Sequence, residues 1–251
     1  MAATPAWPPK SAPRLFVTDE LGQGRLIVIE GNQANYLGRV MRVSEGDAVI
    51  LCDDITGEWV ARVGQVGKRS VELTVEEQLR PREEVPDFWL CAALLKKDRF
   101  DMVLEKATEL GVAKIQPVLT SRCVADKLNP ERARTIVTEA AEQCARTALP
   151  EVGEPQKLDA LLRDWPEDRT LFFADEEGGE GAADAYFLFD GPAALLTGPE
   201  GGFTDQERAA IRAHPAAHAI SLGPRILRGE TAALAGTAVW MAEVGDWLGE
   251  E

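Results

Sequence analysis

The sequence predicts an α/β chain in two parts, a small β-barrel followed by a mostly parallel sheet covered by helices on both faces, and three observations carry that expectation. Residues 13–84 form short alternating apolar runs broken by Gly- or Asp-rich turns, the pattern of closely spaced strands. Beyond a charged, Pro-containing segment at 80–86 the periodicity changes to strand alternating with helix, which implies parallel strands joined by crossover helices. Near the C-terminus two apolar runs, 193–197 and 220–222, break abruptly into Gly and Pro and restart as helices. A buried parallel strand delivers a binding loop at its carboxyl end in this way.

Each element has its own reason. Residues 1–13 are rich in Pro and Ala without a basic segment ahead of an apolar core, so they read as a disordered tail and not as a signal peptide. Strands are expected at 15–17, 25–29, 47–52, 58–63 and 70–75, with one helical insert at 32–41. Two prolines and four charges in the seven residues 80–86 mark a linker, which places the barrel at 14–82 and the second domain at 83–251. A continuous apolar strand at 88–95 is followed by Phe100, Val103, Leu104 and Ala107 at helical spacing, with Gly111 as the C-cap. Residues 114–119 form the next strand, and Asn129-Pro130-Glu131 starts a helix that runs to about Ala148. Three more strands are expected at 170–174, 193–197 and 218–222, making five in this half. Thr204 and Glu207 form a capping box for a helix after the fourth. Trp240 and Trp247 lie seven residues apart on the last helix, where an apolar face serves either the core or a subunit interface.

At 251 residues the chain is long enough to bury roughly 70–75% of its unfolded surface without a disulfide or metal staple. Cys52, Cys91, Cys123 and Cys144 form no Cys-x-x-Cys pair, which fits a reducing cytosol. No apolar run approaches membrane-spanning length. The formal charge of −15 is unfavourable for binding nucleic acid, but it is unevenly spread. Residues 151–190 hold twelve acids and three bases, whereas residues 1–85 hold thirteen acids and ten bases, with Arg39, Arg42, Arg62, Lys68 and Arg69 grouped. The acidic stretch is expected to be a solvated lobe facing away from any nucleic acid that the basic group meets.

The turn Gly198-Pro199-Glu200-Gly201-Gly202 sets three glycines around one carboxylate, leaving backbone N–H and C=O groups open to a ligand. Arg228, Glu230 and Thr231 cluster where the last helix begins, facing whatever that loop holds. Glu139, Gln143 and Arg146 fall on one helical face, with Ile136, Val137, Ala140 and Cys144 on the apolar one. His214 and His218 are separated by Pro215 and lack the pattern of a zinc site, so no metal is expected. Gly22-Gln23-Gly24 is not a dinucleotide fingerprint, and there is no Walker loop.

The stretches Gly-Pro-Glu-Gly-Gly-Phe-Thr-Asp-Gln-Glu (198–207) and Ser-Leu-Gly-Pro-Arg-Ile-Leu-Arg-Gly-Glu-Thr-Ala-Ala-Leu (221–234) closely resemble the paired signature of the RsmE-type enzymes of the SPOUT superfamily. The resemblance extends over nearly the whole chain and is weakest at 151–192. It implies methylation of uridine N3 in 16S ribosomal RNA of the small ribosomal subunit with S-adenosylmethionine, a trefoil knot whose crevice holds that cofactor, and a homodimer paired through the last helix. The segment Tyr36-Leu37-Gly38-Arg39-Val40-Met41-Arg42 resembles the entry into a PUA-like RNA-binding barrel, with Tyr36 where a His is expected. For cofactor contacts the resemblance implies Leu196, Thr197, Gly198, Pro199, Glu200, Gly201, Gly202, Ile220, Ser221, Leu222, Gly223, Ile226, Leu227, Thr231 and Ala232. For chemistry it implies Arg228 as stabiliser of the developing uracil oxyanion and Glu230 as base, with Arg122, Gln143 and Arg146 beside them. Gly229 departs from the pattern, since many relatives carry Thr there. Another SPOUT enzyme acting on ribose 2′-OH or on tRNA, and a silent assembly factor, remain alternatives. The intact glycine loop argues against the last, because a silent factor needs no methyl donor.

Overall fold

The computed structural model describes residues 7–189 and 191–248. The chain divides into two compact units, Met1–Glu84 with Ala141–Ala148, and Val85–Ala140 with Leu149–Glu251.

The first unit contains β1 (Arg14–Phe16), β2 (Leu26–Glu30), α1 (Gly31–Asn35), a π-helical turn (Tyr36–Met41), β3 (Ala48–Cys52), β4 (Glu58–Val66) and β5 (Ser70–Arg80). They form a five-stranded sheet in the order β1-β3-β4-β5-β2, antiparallel except for the β1–β3 pair. Alternation along β2 buries Ile27 and Ile29 and exposes Leu26 and Val28, so one face closes over a core that includes Leu37, Val49, Leu51, Ala61 and Leu73. The expected helical insert at 32–41 is not one α-helix. Its second half widens into the π turn, and the N–H groups of Arg42 and Val43 both return to the carbonyl of Leu37. That closure keeps Leu37 fully buried while Arg39, Val40, Met41 and Arg42 stay exposed, with Arg42 in the left-handed region at φ 55°.

Two further expectations change here. Arg80 does not begin a linker: it ends β5, and its Nε donates to Glu58 Oε2 at 2.6 Å while Arg14 pairs with the other oxygen of that buried carboxylate. Of the tail expected at 1–13, residues 1–6 lie outside the described residues, and the rest is anchored. The Arg62 guanidinium sits 4.1 Å over the Trp7 ring, and the Pro13 carbonyl accepts from Ile50 N–H at 2.8 Å.

The second unit contains β6 (Phe88–Ala93), α2 (Lys97–Glu109), β7 (Lys114–Leu119), α3 (Pro130–Cys144), β8 (Glu151–Val152), β9 (Gln156–Lys157), α4 (Leu158–Arg163), β10 (Thr170–Ala174), β11 (Glu180–Gly181), α5 (Ala182–Phe187), β12 (Ala193–Thr197), α6 (Asp205–Ala213), β13 (Ala217–Ser221) and α7 (Gly229–Glu243). The last turn of α3 belongs to the first unit. The sheet is parallel throughout, in the order β11-β13-β10-β12-β6-β7-β8 with β9 on β7. Its central strands are apolar without a break because both faces are covered. Phe172 and Leu195 point into one core with Phe100, Tyr186 and Trp240, while Phe173 and Leu196 point into the other with Leu161 and Ile211. Five expected strands are present, and the two-residue strands β8, β9 and β11 add to them because they are too short to show a period.

The helix after Asn129 ends at Cys144, short of Ala148, because Ala145 takes φ 64°. Arg146 therefore leaves the face that Glu139 and Gln143 share and is buried, 5% exposed, while Cys144 is exposed and not on the apolar face. Trp240 stacks on Phe88 at 4.2 Å in the core. Trp247 lies beyond the end of α7 and is half exposed, so the two tryptophans do not share a helical face.

Candidate active site

The carboxyl ends of β10, β12 and β13 and the start of α7 enclose a cavity of about 260 Å³. Its walls are the loops after these three strands, and glycine shapes each approach. Gly202 has φ 67°, and a Cβ there would come within 3.0 Å of Glu176 Oε1. Gly223 has φ 103° and nothing within 4 Å of where a Cβ would be. Gly229, the first residue of α7, packs so closely that a Cβ would lie 2.8 Å from the carbonyl oxygen of Gly198. The β12 loop turns through Gly202 N–H to Pro199 O at 2.9 Å and enters α6 by the expected capping box: Thr204 Oγ1 accepts from Glu207 N, and Glu207 Oε2 accepts from Thr204 N. Burial alone would raise the Glu207 carboxyl, but hydrogen bonds from the Thr204 and Ser121 backbones outweigh it and hold the pKa below the usual range.

The loop after β10 carries an arrangement that motif reading missed. Asp175, with no exposed side-chain surface, accepts from Arg208 Nε at 3.1 Å and from Arg212 Nη2 at 2.6 Å. Arg208, itself buried, also donates to Glu176 at 2.8 Å and to Glu177 at 2.9 Å. Asp175, Glu176, Glu177 and Arg208 all line the cavity, so part of the acidic stretch belongs to its wall. The signal was present: the apolar run 170–174 is a third strand that breaks, through Asp175-Glu176-Glu177, into Gly178-Gly179.

A second cavity of about 430 Å³ adjoins the first and shares Ile226 and Leu227 with it. Lys96, Arg99, Val124, Glu200 and Arg228 complete its lining. Arg99 Nη1 stands 3.8 Å from Glu200 Oε1 and 3.5 Å from Glu230 Oε1. Glu230 is buried, and its Oε2 has no hydrogen-bond partner among the described residues.

Of the residues expected at the cofactor, Gly198, Pro199, Gly202, Ser221, Leu222, Gly223, Ile226, Leu227 and Ala232 line the first cavity. Leu196, Thr197 and Ile220 do not; they are buried within β12 and β13. Thr231 is exposed on α7 and lines neither cavity, and Glu200 faces the second. Gly201 also stays off the cavity lining, because Arg122 covers it: a Cβ there would be 3.2 Å from Arg122 Cβ. Arg122 Nη1 donates to the carbonyls of Gly201 at 2.8 Å and Phe203 at 3.1 Å, which makes this side chain a brace for the loop. Gln143 and Arg146 belong to the first unit and not to the unit that holds the cavities. In the first unit Arg39 and Arg42 are exposed on the π turn and its cap, and Lys68 and Arg69 are exposed between β4 and β5. Arg62 differs, being tied to both carboxylate oxygens of Glu76 and to Gly46 O.

Among the described residues no group of three or more His, Cys, Asp or Glu could hold a metal ion, and His218 pairs instead with Glu180 at 2.9 Å. Burial pushes the Cys91 thiol up to about 12, so it is no nucleophile at neutral pH. No helix among the described residues is long and apolar enough to cross a membrane.

A glycine-lined cavity at the carboxyl edge of a parallel sheet is a small-ligand site, and the family matches give its class, an RNA methyltransferase. Residues 82–241 match the RNA methyltransferase domain, and residues 29–76 match the RNA methyltransferase PUA domain. The chain is 34% identical to ribosomal RNA small subunit methyltransferase E of Synechocystis over 231 residues, covering 87% of this chain and 74% of that one. It is 28% identical to the enzyme of the same name from Rickettsia conorii over 229 residues, covering 90% and 93%. The structure of the Neisseria gonorrhoeae enzyme bound to S-adenosylmethionine matches with a TM-score of 0.85 and 29% identity, covering 94% of this chain and 99% of that one. The chain belongs to the ribosomal RNA small subunit methyltransferase E family.

Proposed function

We propose that this protein transfers the methyl group of S-adenosylmethionine to N3 of one uridine in the 16S RNA of the small ribosomal subunit, working in the cytoplasm as a homodimer. The observation that carries the reading is the glycine-lined cavity, whose walls are backbone where an adenine and a ribose need close approach. The donor set fits such a cofactor: the Gly198, Leu222, Gly223 and Leu227 backbones would hold its neutral parts, and the Glu176 and Glu177 carboxylates favour its positive charge. When bound, S-adenosylmethionine supplies a methyl group on a sulfonium, an electrophile that is already activated.

The protein's own task is to hold the base in line and to manage the N3 proton. Orientation in a closed crevice is worth roughly 7–11 kcal/mol of barrier. Arg228 has no side-chain partner among the described residues, so its guanidinium is free to stabilise the oxyanion that forms on the uracil as N3 loses its proton. Glu230, with its unpartnered Oε2, is the candidate proton acceptor. The N-terminal segment, taken as 14–82, is assigned to RNA through Arg39, Arg42, Lys68 and Arg69. Arg62 drops out of that set because Glu76 already neutralises it. A trefoil crossing of the last segment is part of the same reading. Mass mapping of methylated nucleotides in 16S RNA from cells with and without the protein tests it: one methyluridine is expected to vanish on deletion, and an unchanged map overturns the reading.

A further inference from the structure

Resting on that reading, we propose that the second cavity is the docking site for a phosphodiester of the RNA backbone beside the target uridine, gripped by Lys96 and Arg99. Five observations converge on it. Lys96 and Arg228 stand at the N-caps of α2 and α7, and neither forms a capping hydrogen bond. A helix start favours Ser, Thr, Asp or Asn as its cap and an anion as its neighbour, so a cation there works against both the cap preference and the helix dipole. Two such misplaced cations facing one cavity are unfavourable for the helices alone; a phosphodiester at Lys96 and the oxyanion of the reacting base at Arg228 would each offset that.

The third cation, Arg99 in the first turn of α2, has donors to spare. Its contacts to Glu200 and Glu230 are ion pairs at 3.8 and 3.5 Å, longer than good N–H···O hydrogen bonds, which leaves its planar fork available to a phosphate. Lys96 makes no side-chain hydrogen bond or ion pair among the described residues. In a chain of net charge −15, a cavity with three cations and one lining carboxylate departs sharply from the average surface.

The last observation is apolar. Val124 and Ile226 line the same cavity while 68% and 86% exposed, so greasy surface stands beside the cations. A nucleotide presents that same pair of chemistries, a stacking face and an anion. Because Ile226 and Leu227 also border the first cavity, a phosphodiester held by Lys96 and Arg99 would leave its base at the boundary of the two, beside Arg228. On this account Lys96 and Arg99 position the substrate, and Arg228 alone of the three cations meets the reacting base.

The test measures binding of the full-length protein to unmethylated small ribosomal subunits as a function of salt, with Lys96→Ala and Arg99→Gln compared to wild type. Each lost phosphate contact should flatten the slope of log K against log salt by about 0.7–0.9 and weaken binding about fivefold near 0.15 M salt. The loss in kcat/KM should fall on KM, S-adenosylmethionine affinity should hold, and Lys96→Ala, which breaks no observed contact, should melt with wild type. An unchanged slope with a lowered kcat would overturn the proposal by making these residues partners of the base. Weakened S-adenosylmethionine binding would overturn it in favour of the cofactor. Calorimetry with inorganic phosphate alone should show no saturable site; a tight one lost in Lys96→Ala would assign the cavity to a free anion instead. A wild-type protein that methylates normally while Lys96→Ala keeps its salt slope refutes this inference only, whereas a wild type that methylates no uridine refutes the functional reading beneath it.

Discussion

Replacing Arg208 by Met should strongly destabilise the second unit. Arg208 is buried and hydrogen-bonded to three carboxylates, with a fourth, the fully exposed Asp205, at 3.8 Å, but they do not count equally. The Glu176 and Glu177 side chains are 44% and 59% exposed, so water takes over their solvation and each pair is worth about 0–1 kcal/mol. Asp175 has no exposed side-chain surface and would keep one cation, Arg212, itself half exposed, beside the Glu177 N–H at 3.0 Å. Leaving a buried charge short of a partner costs about 3–5 kcal/mol, and that term dominates. For a unit of this size it corresponds to a fall in Tm of about 6–20 °C, read by differential scanning calorimetry. The same change should weaken S-adenosylmethionine binding, because the loop 175–178 that Arg208 anchors forms one wall of the cavity. Arg208→Met combined with Asp175→Asn should lose less than the sum of the two single changes, since the second removes the charge that the first strands. A melting temperature within about 2 °C of wild type for Arg208→Met would refute this account of the wall.

Gly202→Ala should lose S-adenosylmethionine affinity in calorimetry, because a Cβ at φ 67° costs about 1–2 kcal/mol and presses on Glu176; Gly201→Val, by contrast, should act by displacing Arg122 from the loop. Arg228→Ala should lower kcat and kcat/KM together by roughly 10²–10³, with partial recovery at raised pH as more uracil ionises unaided, and a pure KM effect would remove Arg228 from the chemistry. Thr204→Ala should cost about 1 kcal/mol in denaturant unfolding through the lost cap. The Glu207 pKa is lowered on folding, so its contribution is fully present above the ordinary carboxylate pKa of about 4.3 and is lost as pH falls through the folded value. The stability gap between wild type and Glu207→Gln should therefore close across that acidic window.

Much of this protein was legible in the chain alone, for local reasons. Apolar runs at 170–174 and 193–197 became strands with those bounds because a strand buried on both faces needs no alternation. Thr204 with Glu207 fixed a helix start because both capping bonds close within four residues. The glycines at 198, 202 and 223 marked the cavity because only they permit its backbone to lie open. What failed were inferences across a break in regularity. Arg146 was assigned to a helical face that ends at Ala145, whose left-handed backbone no side-chain pattern announces. Arg122 carried the charge of a catalytic group, yet its Nη1 is bound to two loop carbonyls 79 and 81 residues away in the chain, a bracing role that no local pattern announces. Arg208, Lys96 and Arg99 were passed over because each matters only through partners on other elements. Sequence determines periodicity, caps and turns, which depend on residues within a few positions of one another; whether a charge is braced, paired or free depends on which distant strand ends the sheet brings side by side, and that only the tertiary structure decides.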